Sequence, residues 1–513
     1  MNKKIWLKIL SVTLVVIFCL TAVAGCKKDS EDDTDVSDTE SVVEGEKDVL
    51  EGVRYDGETV NVLSWIPSNL KEYVPEFSVG SHVVEQKTFE RMEKTKAQLN
   101  INISWKEEKG NAEAMNDFIS KAATGIMVSE YDVICCYSSA AASFTSSGYA
   151  TNLLNYATMD FTQEWYPQNL VEDCTMFDKL YFCTGDISTN LIYMTSLVFF
   201  NNKLMNDYHI NDMIKSEYGE DDIYALVREG KWTQEALITL SSAVGEDTDN
   251  SGSVTATEGD TVGFSTYETL LTNFYQGAGY KTIDVSETGV AVSEDYMDAD
   301  IVGDLLETFV SFLYETPNAF YCGGGNTGHS SAAKMFADGR SLFSLAPASH
   351  AYKTHAQSGV KFGALPVPKG SNDQEKYLSV HSRPYSMFFI PNTSNQKDIA
   401  ASFIHCLGQH SYETTRKAII DTTMKGRYAS IEAADLEMWD YIIDSQTFDM
   451  GRIFEKMFIH KGGNGDFALT DMFAHNRLAI KKTEWASIST NYRAKMENQC
   501  TDINNMLQSF GDQ

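Results

Sequence analysis

Between residues 59 and 136 the chain alternates short strand-like and helix-like segments, and that order restricts its folds more than any other feature. Residues 59–65 place apolar side chains with a period of two. Residues 85–99 set Phe89, Met92 and Leu99 at helical spacing. Residues 101–105 read as a strand, 112–123 as a helix and 131–136 as a buried strand. A β-α-β-α-β order predicts a parallel sheet covered by helices. Ligands of such sheets lie beyond the carboxyl ends of the strands. Trp65 and Tyr137-Ser138-Ser139 stand at those ends and are ligand candidates. Trp packs equally well as a core or rim aromatic, so Trp65 has both readings.

Farther on, residues 180–182 and 197–200 read as strands. Thr233 is a good N-cap, Glu235 suits the positive end of the helix that follows, and Trp232 staples onto Leu237 across that cap, a structural role. Residues 299–314 predict an amphipathic helix with Ile301, Leu305, Leu306, Phe309 and Leu313 on one face. Cys322-Gly323-Gly324-Gly325 has neither phosphate-binding glycine spacing and reads as a turn.

The body after about residue 54 holds roughly 460 residues, enough for two or three domains. A formal net charge of -31 excludes a nucleic-acid partner, because no basic stripe is present to neutralise phosphates. Past residue 26 no apolar run approaches a membrane span. Of nine cysteines, Cys19 and Cys26 precede the body. The others are scattered, without metal-type spacing, and only a Cys174 to Cys183 bridge suggests itself.

The N-terminus carries Lys3, Lys4 and Lys8, an apolar run over 9–22 and then Val23-Ala24-Gly25-Cys26. This resembles the signal of bacterial lipoproteins, and it is too short for a spanning helix. The resemblance implies a signal peptide over 1–25 and a diacylglyceryl group on Cys26, an anchor of two acyl chains. Residues 26–54 then form an acidic disordered tether, because Ser30-Glu31-Asp32-Asp33-Thr34-Asp35 and its neighbours bury too little to offset ordering entropy. The implied location is the outer face of the cell membrane, lipid-anchored and extracellular.

Several stretches of the body, in order, resemble the extracellular solute-binding proteins of carbohydrate ABC importers. They are Phe199-Phe200-Asn201-Asn202-Lys203, Tyr224-Ala225-Leu226-Val227-Arg228-Glu229-Gly230-Lys231-Trp232-Thr233, Met335-Phe336-Ala337-Asp338-Gly339-Arg340 and Phe362-Gly363-Ala364-Leu365-Pro366-Val367-Pro368-Lys369. Ser411-Tyr412, Lys425-Gly426-Arg427-Tyr428 and Met438-Trp439-Asp440 resemble a helical region of clostridial members. The segment Arg416-Lys417-Ala418-Ile419-Ile420 and the triplet Arg383-Pro384-Tyr385 depart from the pattern. The resemblance implies an α/β, two-lobe, periplasmic-binding-protein-like (type II) fold. Lobe 1 would comprise 55–186 plus 390–445, and lobe 2 would comprise 187–388 plus 446–513. Gly185-Asp186 and Phe389-Ile390-Pro391 would serve as hinge segments.

It further implies a monomeric, non-enzymatic protein that captures a carbohydrate, an oligosaccharide above all, and delivers it to ABC permease transmembrane subunits. Sugar capture needs aromatic faces and a few fixed polar groups. The candidates are Trp65, Tyr137, Ser138, Ser139, Tyr280, Arg383 and Tyr385. Arg383 would favour acidic sugars, unless it serves a salt bridge. Two other classes stay open. A secreted lipoprotein glycosidase would need a carboxylate pair across the cleft, and a ligand-sensing subunit of a membrane receptor would share the fold.

Residues 247–258 match the calcium-loop template D-x-D-x-S-G-x5-E. Asp247, Asp249, Ser251, the Ser253 carbonyl and Glu258 would surround a structural Ca²⁺, with Gly252 at the turn. No other cofactor is implied, and an Asx-rich surface turn gives the same spacing.

Overall fold

The computed structural model describes residues 48–510 except 68–69, 78–80, 249, 253–258, 354, 356–357, 426–432 and 462–465. The signal peptide, Cys26 and the tether up to residue 47 lie outside the described residues. Contacts group Val49–Gln513 into one compact unit, apart from Met1–Asp48. Among the described residues no helix is long and apolar enough to cross a membrane.

The expected alternation forms the first sheet. Strands β1 (Thr59–Trp65), β2 (Asn102–Glu108) and β3 (Val133–Tyr137) run parallel, β1 pairing with both others. β3 and the second half of β1 are buried, as central strands covered on both faces should be. β2 is an edge strand. Exposed Lys106 and Glu107 put charge along this edge, which discourages pairing with another chain. Between β1 and β2 the helix Val83–Leu99 buries Val84, Thr88, Arg91, Met92, Thr95 and Leu99 along one stripe. Asn100 ends it in the left-handed conformation, with φ at 53°.

The second sheet starts with β4 (Ser196–Asn201), followed by β5 (Gly245–Glu246) and β6 (Thr261–Thr266). β7 (Ile283–Ser286) and β8 (Gly289–Val292) form a separate antiparallel hairpin. β9 (Ala319–Tyr321), β10 (Ser341–Pro347) and β11 (Phe362–Leu365) complete the sheet, in the order β11-β4-β10-β6-β5 with β9 on β6. Thr233 caps the helix Gln234–Ser241 as expected, and Trp232 is fully buried with its indole N–H donated to the Pro366 carbonyl at 2.9 Å.

Two local expectations differ. Residues 180–182 form no strand: the buried chain there meets the first sheet at a bridge between Cys183 and Phe388. The helix from Ala299 runs to Val310 and continues as a π-helix over Ser311–Glu315.

Crossings between the sheets position the site. β12 (Ser379–Val380) pairs in parallel with β14 (Gln446–Thr447), while β13 (Ser386–Phe389) lies antiparallel to β3 in the first sheet. The chain has therefore rejoined the first sheet by Ser386, ahead of the boundary expected at 390. The helix Ala433–Asp444 packs on β11 of the second sheet. Tyr224 donates to Asp435 there, and Arg228 pairs with Glu437 at 3.0 Å. Those contacts draw the helix to the second sheet, whereas the expected lobe boundaries assigned it to the first lobe.

Candidate functional site

β1 and β3 end together at Trp65 and Tyr137, and the helix Ser138–Ser146 begins directly after β3. The two rings meet edge to face at 5.3 Å. Trp65 is fully buried and donates its indole N–H to Ser386 Oγ at 2.8 Å, so it offers no open face to a solute here. Tyr137 is also buried, and desolvation pushes its phenol up.

Four of the expected residues converge. Ser138, Ser139, Arg383 and Tyr385 line one cavity of about 20 Å³ together with Val380, His381 and the stretch 447–449, Arg452 and Ile453. Ser138 donates its N–H to the Tyr385 carbonyl at 3.0 Å and its hydroxyl to the Arg383 carbonyl. The opposite wall is anchored to residues around the second sheet. Asp449 accepts from the Thr282 N–H at 3.0 Å, the Gln276 amide at 2.6 Å and the Gly451 N–H at 2.7 Å, and Arg452 donates to Thr272 Oγ1 at 2.9 Å. A space of that size holds about one water molecule, so a sugar enters only when the two walls part.

Arg383 is engaged by protein carboxylates. Its Nη2 lies 2.6 Å from Glu455 and 2.9 Å from Asp471. Burial favours the neutral form of Asp471, yet Arg383 and His475 outweigh it and hold the carboxyl at about 2. A guanidinium already holding two carboxylates does not select an acidic sugar, and the expectation that Arg383 does so is corrected on that ground. Tyr280 is not brought to this cavity. It packs at 5.4 Å on Tyr275, half-buried on the second-sheet side.

Sequence reasoning missed His381 and the run 447–453. His381 is buried, stacked on Phe448 at 4.6 Å, and burial pushes its imidazole down to about 3. Nothing in the local pattern marks these residues; only the return of the chain past β14 brings them to Ser138.

A buried polar hub sets this end of the first sheet. Glu72 Oε1 accepts from Ser386 Oγ at 2.6 Å, Asn190 Nδ2 at 3.1 Å and Ser188 Oγ at 3.2 Å, and Oε2 accepts from the Thr189 N–H at 2.9 Å. Ser386 also receives the Trp65 indole N–H. One carboxylate thus holds both chain crossings and orients the site aromatic. Its satisfied bonds offset the desolvation of the charge.

In the loop over 247–258, Asp247 accepts from the Ser251 N–H at 3.1 Å and the Gly252 N–H at 2.7 Å, with Gly252 at φ +81°. Asp249, Ser253 and Glu258 lie outside the described residues. Cys174 and Cys183 are both buried free thiols, so the suggested bridge is not formed.

No family model and no curated protein sequence matches the chain. Solved structures do. The GacH receptor of Streptomyces glaucescens is 15% identical, with a TM-score of 0.51 over 87% of this chain and 100% of that one. The cyclic alpha-maltosyl-1,6-maltose binding protein of Arthrobacter globiformis is 12% identical, with a TM-score of 0.51 over 88% and 100%. UspC of M. tuberculosis is 11% identical, with a TM-score of 0.51 over 86% and 100%. At such identities the likeness speaks for architecture: this chain has the two-sheet α/β fold of a type II periplasmic binding protein.

Proposed function

We propose that the protein is an extracellular, lipid-anchored solute-binding protein that captures a carbohydrate between its two α/β halves and delivers it to an ABC permease, without chemistry of its own. The observation that carries this reading is the shared cavity: Ser138 and Ser139 at the carboxyl end of β3 meet Asp449, Arg452 and Ile453 from the second half at the chain crossings. A site split between two bodies that the backbone joins at crossings is suited to capture by rotation. The carbohydrate class is supported by the solved structures of like fold, since GacH was seen in complex with acarbose and the Arthrobacter protein is named for a cyclic maltosyl-maltose. Cys26 would hold the lipid. The loop at 247–258 would take a structural Ca²⁺ through Asp247, Asp249, Ser251, Ser253 and Glu258.

The test is a thermal-shift screen of the detergent-solubilised chain against neutral and acidic mono- and oligosaccharides, with product analysis of each hit. A neutral oligosaccharide should raise the melting temperature by mass action and be recovered intact. Shifts from peptides or polyamines alone would refute the carbohydrate class, and cleaved sugar would refute the non-enzymatic reading. Calorimetry with millimolar Ca²⁺ tests the loop separately.

A further inference from the structure

A second space is far larger than the cavity just described. A groove of about 900 Å³ also adjoins the β12/β14 pair, with Leu378 and Gln446 lining the groove and Val380 and Thr447 lining the small cavity. Its volume falls in the range of ligand pockets, about 300–1,000 Å³.

One wall comes from around the first sheet and carries Glu164, Trp165, Asp186, Tyr412 and Arg416. The other comes from around the second and carries Arg228, Tyr377 and Tyr441. Trp165, Tyr412 and Tyr441 are half-buried, so each ring has both packed and open surface. Both arginines of the lining are held by protein carboxylates. Arg416 lies 3.4 Å from Asp186 and its guanidinium stands 5.0 Å from the Tyr412 ring centre. Tyr412 donates its hydroxyl to Glu164, and Arg228 holds Glu437. Aromatic faces suit the apolar faces of sugar rings. Guanidinium groups already held by carboxylates do not call for an anionic ligand, while their remaining N–H groups can meet sugar hydroxyls. Tyr412 and Arg416 also lie on a π-helix, Ser411–Arg416, a rare conformation that concentrates at functional sites.

We propose that this groove is a second ligand site, for a neutral oligosaccharide, distinct from the first and adjoining the same β12/β14 pair. The assignment rests on the groove's own lining and stands apart from the capture site proposed above.

The test is isothermal titration of the full chain in detergent with maltotetraose, cellotetraose and xylotetraose, on the native protein and on the variants Tyr412→Ala, Tyr441→Ala, Arg416→Gln and Arg452→Met. Native-like melting of each variant establishes that it folds, and the three groove variants back one another where one does not. At least one tetrasaccharide should show a binding component that the groove variants weaken about tenfold or more and that persists in Arg452→Met, whatever that substitution does to a component from the capture site. Binding that Arg452→Met abolishes and the groove variants leave intact would overturn this site while sparing the capture site. Loss of that component in the groove variants alone would support this site, and the thermal-shift screen tests the capture site separately. No heat from any of the three sugars would overturn the assignment, whatever solute the first site takes.

Discussion

Arg91 and Glu72 form an ion pair at 3.5 Å in which neither side chain is exposed. Arg91 also donates to the Ile187 carbonyl at 2.7 Å, to Ser411 Oγ at 2.8 Å and to the Glu72 carbonyl at 2.7 Å. The helix Val83–Leu99 is thereby tied to the crossing at 187–190. Through Glu72 it is tied also to Ser386 and Trp65. A buried pair adds little over an apolar pair, but removing one partner strands the other charge. Replacing Arg91 by Met should therefore lower unfolding stability by about 3–5 kcal/mol, read from urea midpoints. A midpoint unchanged from the native protein would mean that the hub holds nothing.

Gly185 sits at a crossing with φ at +136°, and a Cβ there would stand 2.0 Å from the Trp165 carbonyl oxygen. Both the backbone conformation and the contact exclude a side chain. Gly185→Ala should cost at least about 1–3 kcal/mol, and Trp165 should shift with it. Circular dichroism melting gives the cost. An alanine variant that melts like the native chain would contradict the tight approach.

Two buried carboxyl groups should shape stability in opposite directions with pH. Burial, partly opposed by Arg416, pushes Asp186 up from its ordinary 3.8 to about 7. Its contribution is full below the unfolded value and lost as pH rises through about 7. Asp186→Asn should therefore gain on the native protein between about pH 5 and about pH 8. Asp471, held at about 2 by Arg383 against the effect of burial, stabilises above its unfolded 3.8 and loses that contribution as pH falls through about 2. Asp471→Asn should flatten the acid limb of the stability curve. Melting temperatures across pH test both, and equal offsets at all pH values would refute the coupling.

The body's thiols should titrate in a single order. Cys135, Cys136, Cys174, Cys183, Cys406 and Cys500 are buried, while Cys322 is half-buried, its thiol pushed up to about 12 by burial. A chromogenic disulfide should label Cys322 slowly in the folded chain and the other six only after denaturation. Rapid labelling of several thiols in the native state would contradict their placement.

Much of the first sheet was legible because each strand states its own environment. β3 is apolar on both faces and central; β2 alternates and is an edge. The N-cap Thr233 was legible for the same reason, since a cap bonds an N–H within a few residues, whereas Trp232, buried as read, meets Pro366 and Phe343 far along the chain. The candidate site was legible only on its near side. Ser138 and Ser139 follow from the strand that ends before them, and Arg383 and Tyr385 join them in the cavity. Trp65 took the structural alternative of its two readings, because Ser386, more than 300 residues away, uses its indole N–H.

What the sequence determined by itself was the layered α/β architecture, because the periods of two and 3.6 in apolar placement are local consequences of backbone geometry. What only the tertiary structure decided was which residues face one another at the site and in the groove. Asp449 and Arg452 share a cavity with Ser138, Asp471 pairs with Arg383, and Tyr412 and Tyr441 line one groove because chain crossings far apart in order are held on one buried carboxylate and one short strand pair. Those contacts depend on long-range packing, which no local pattern encodes.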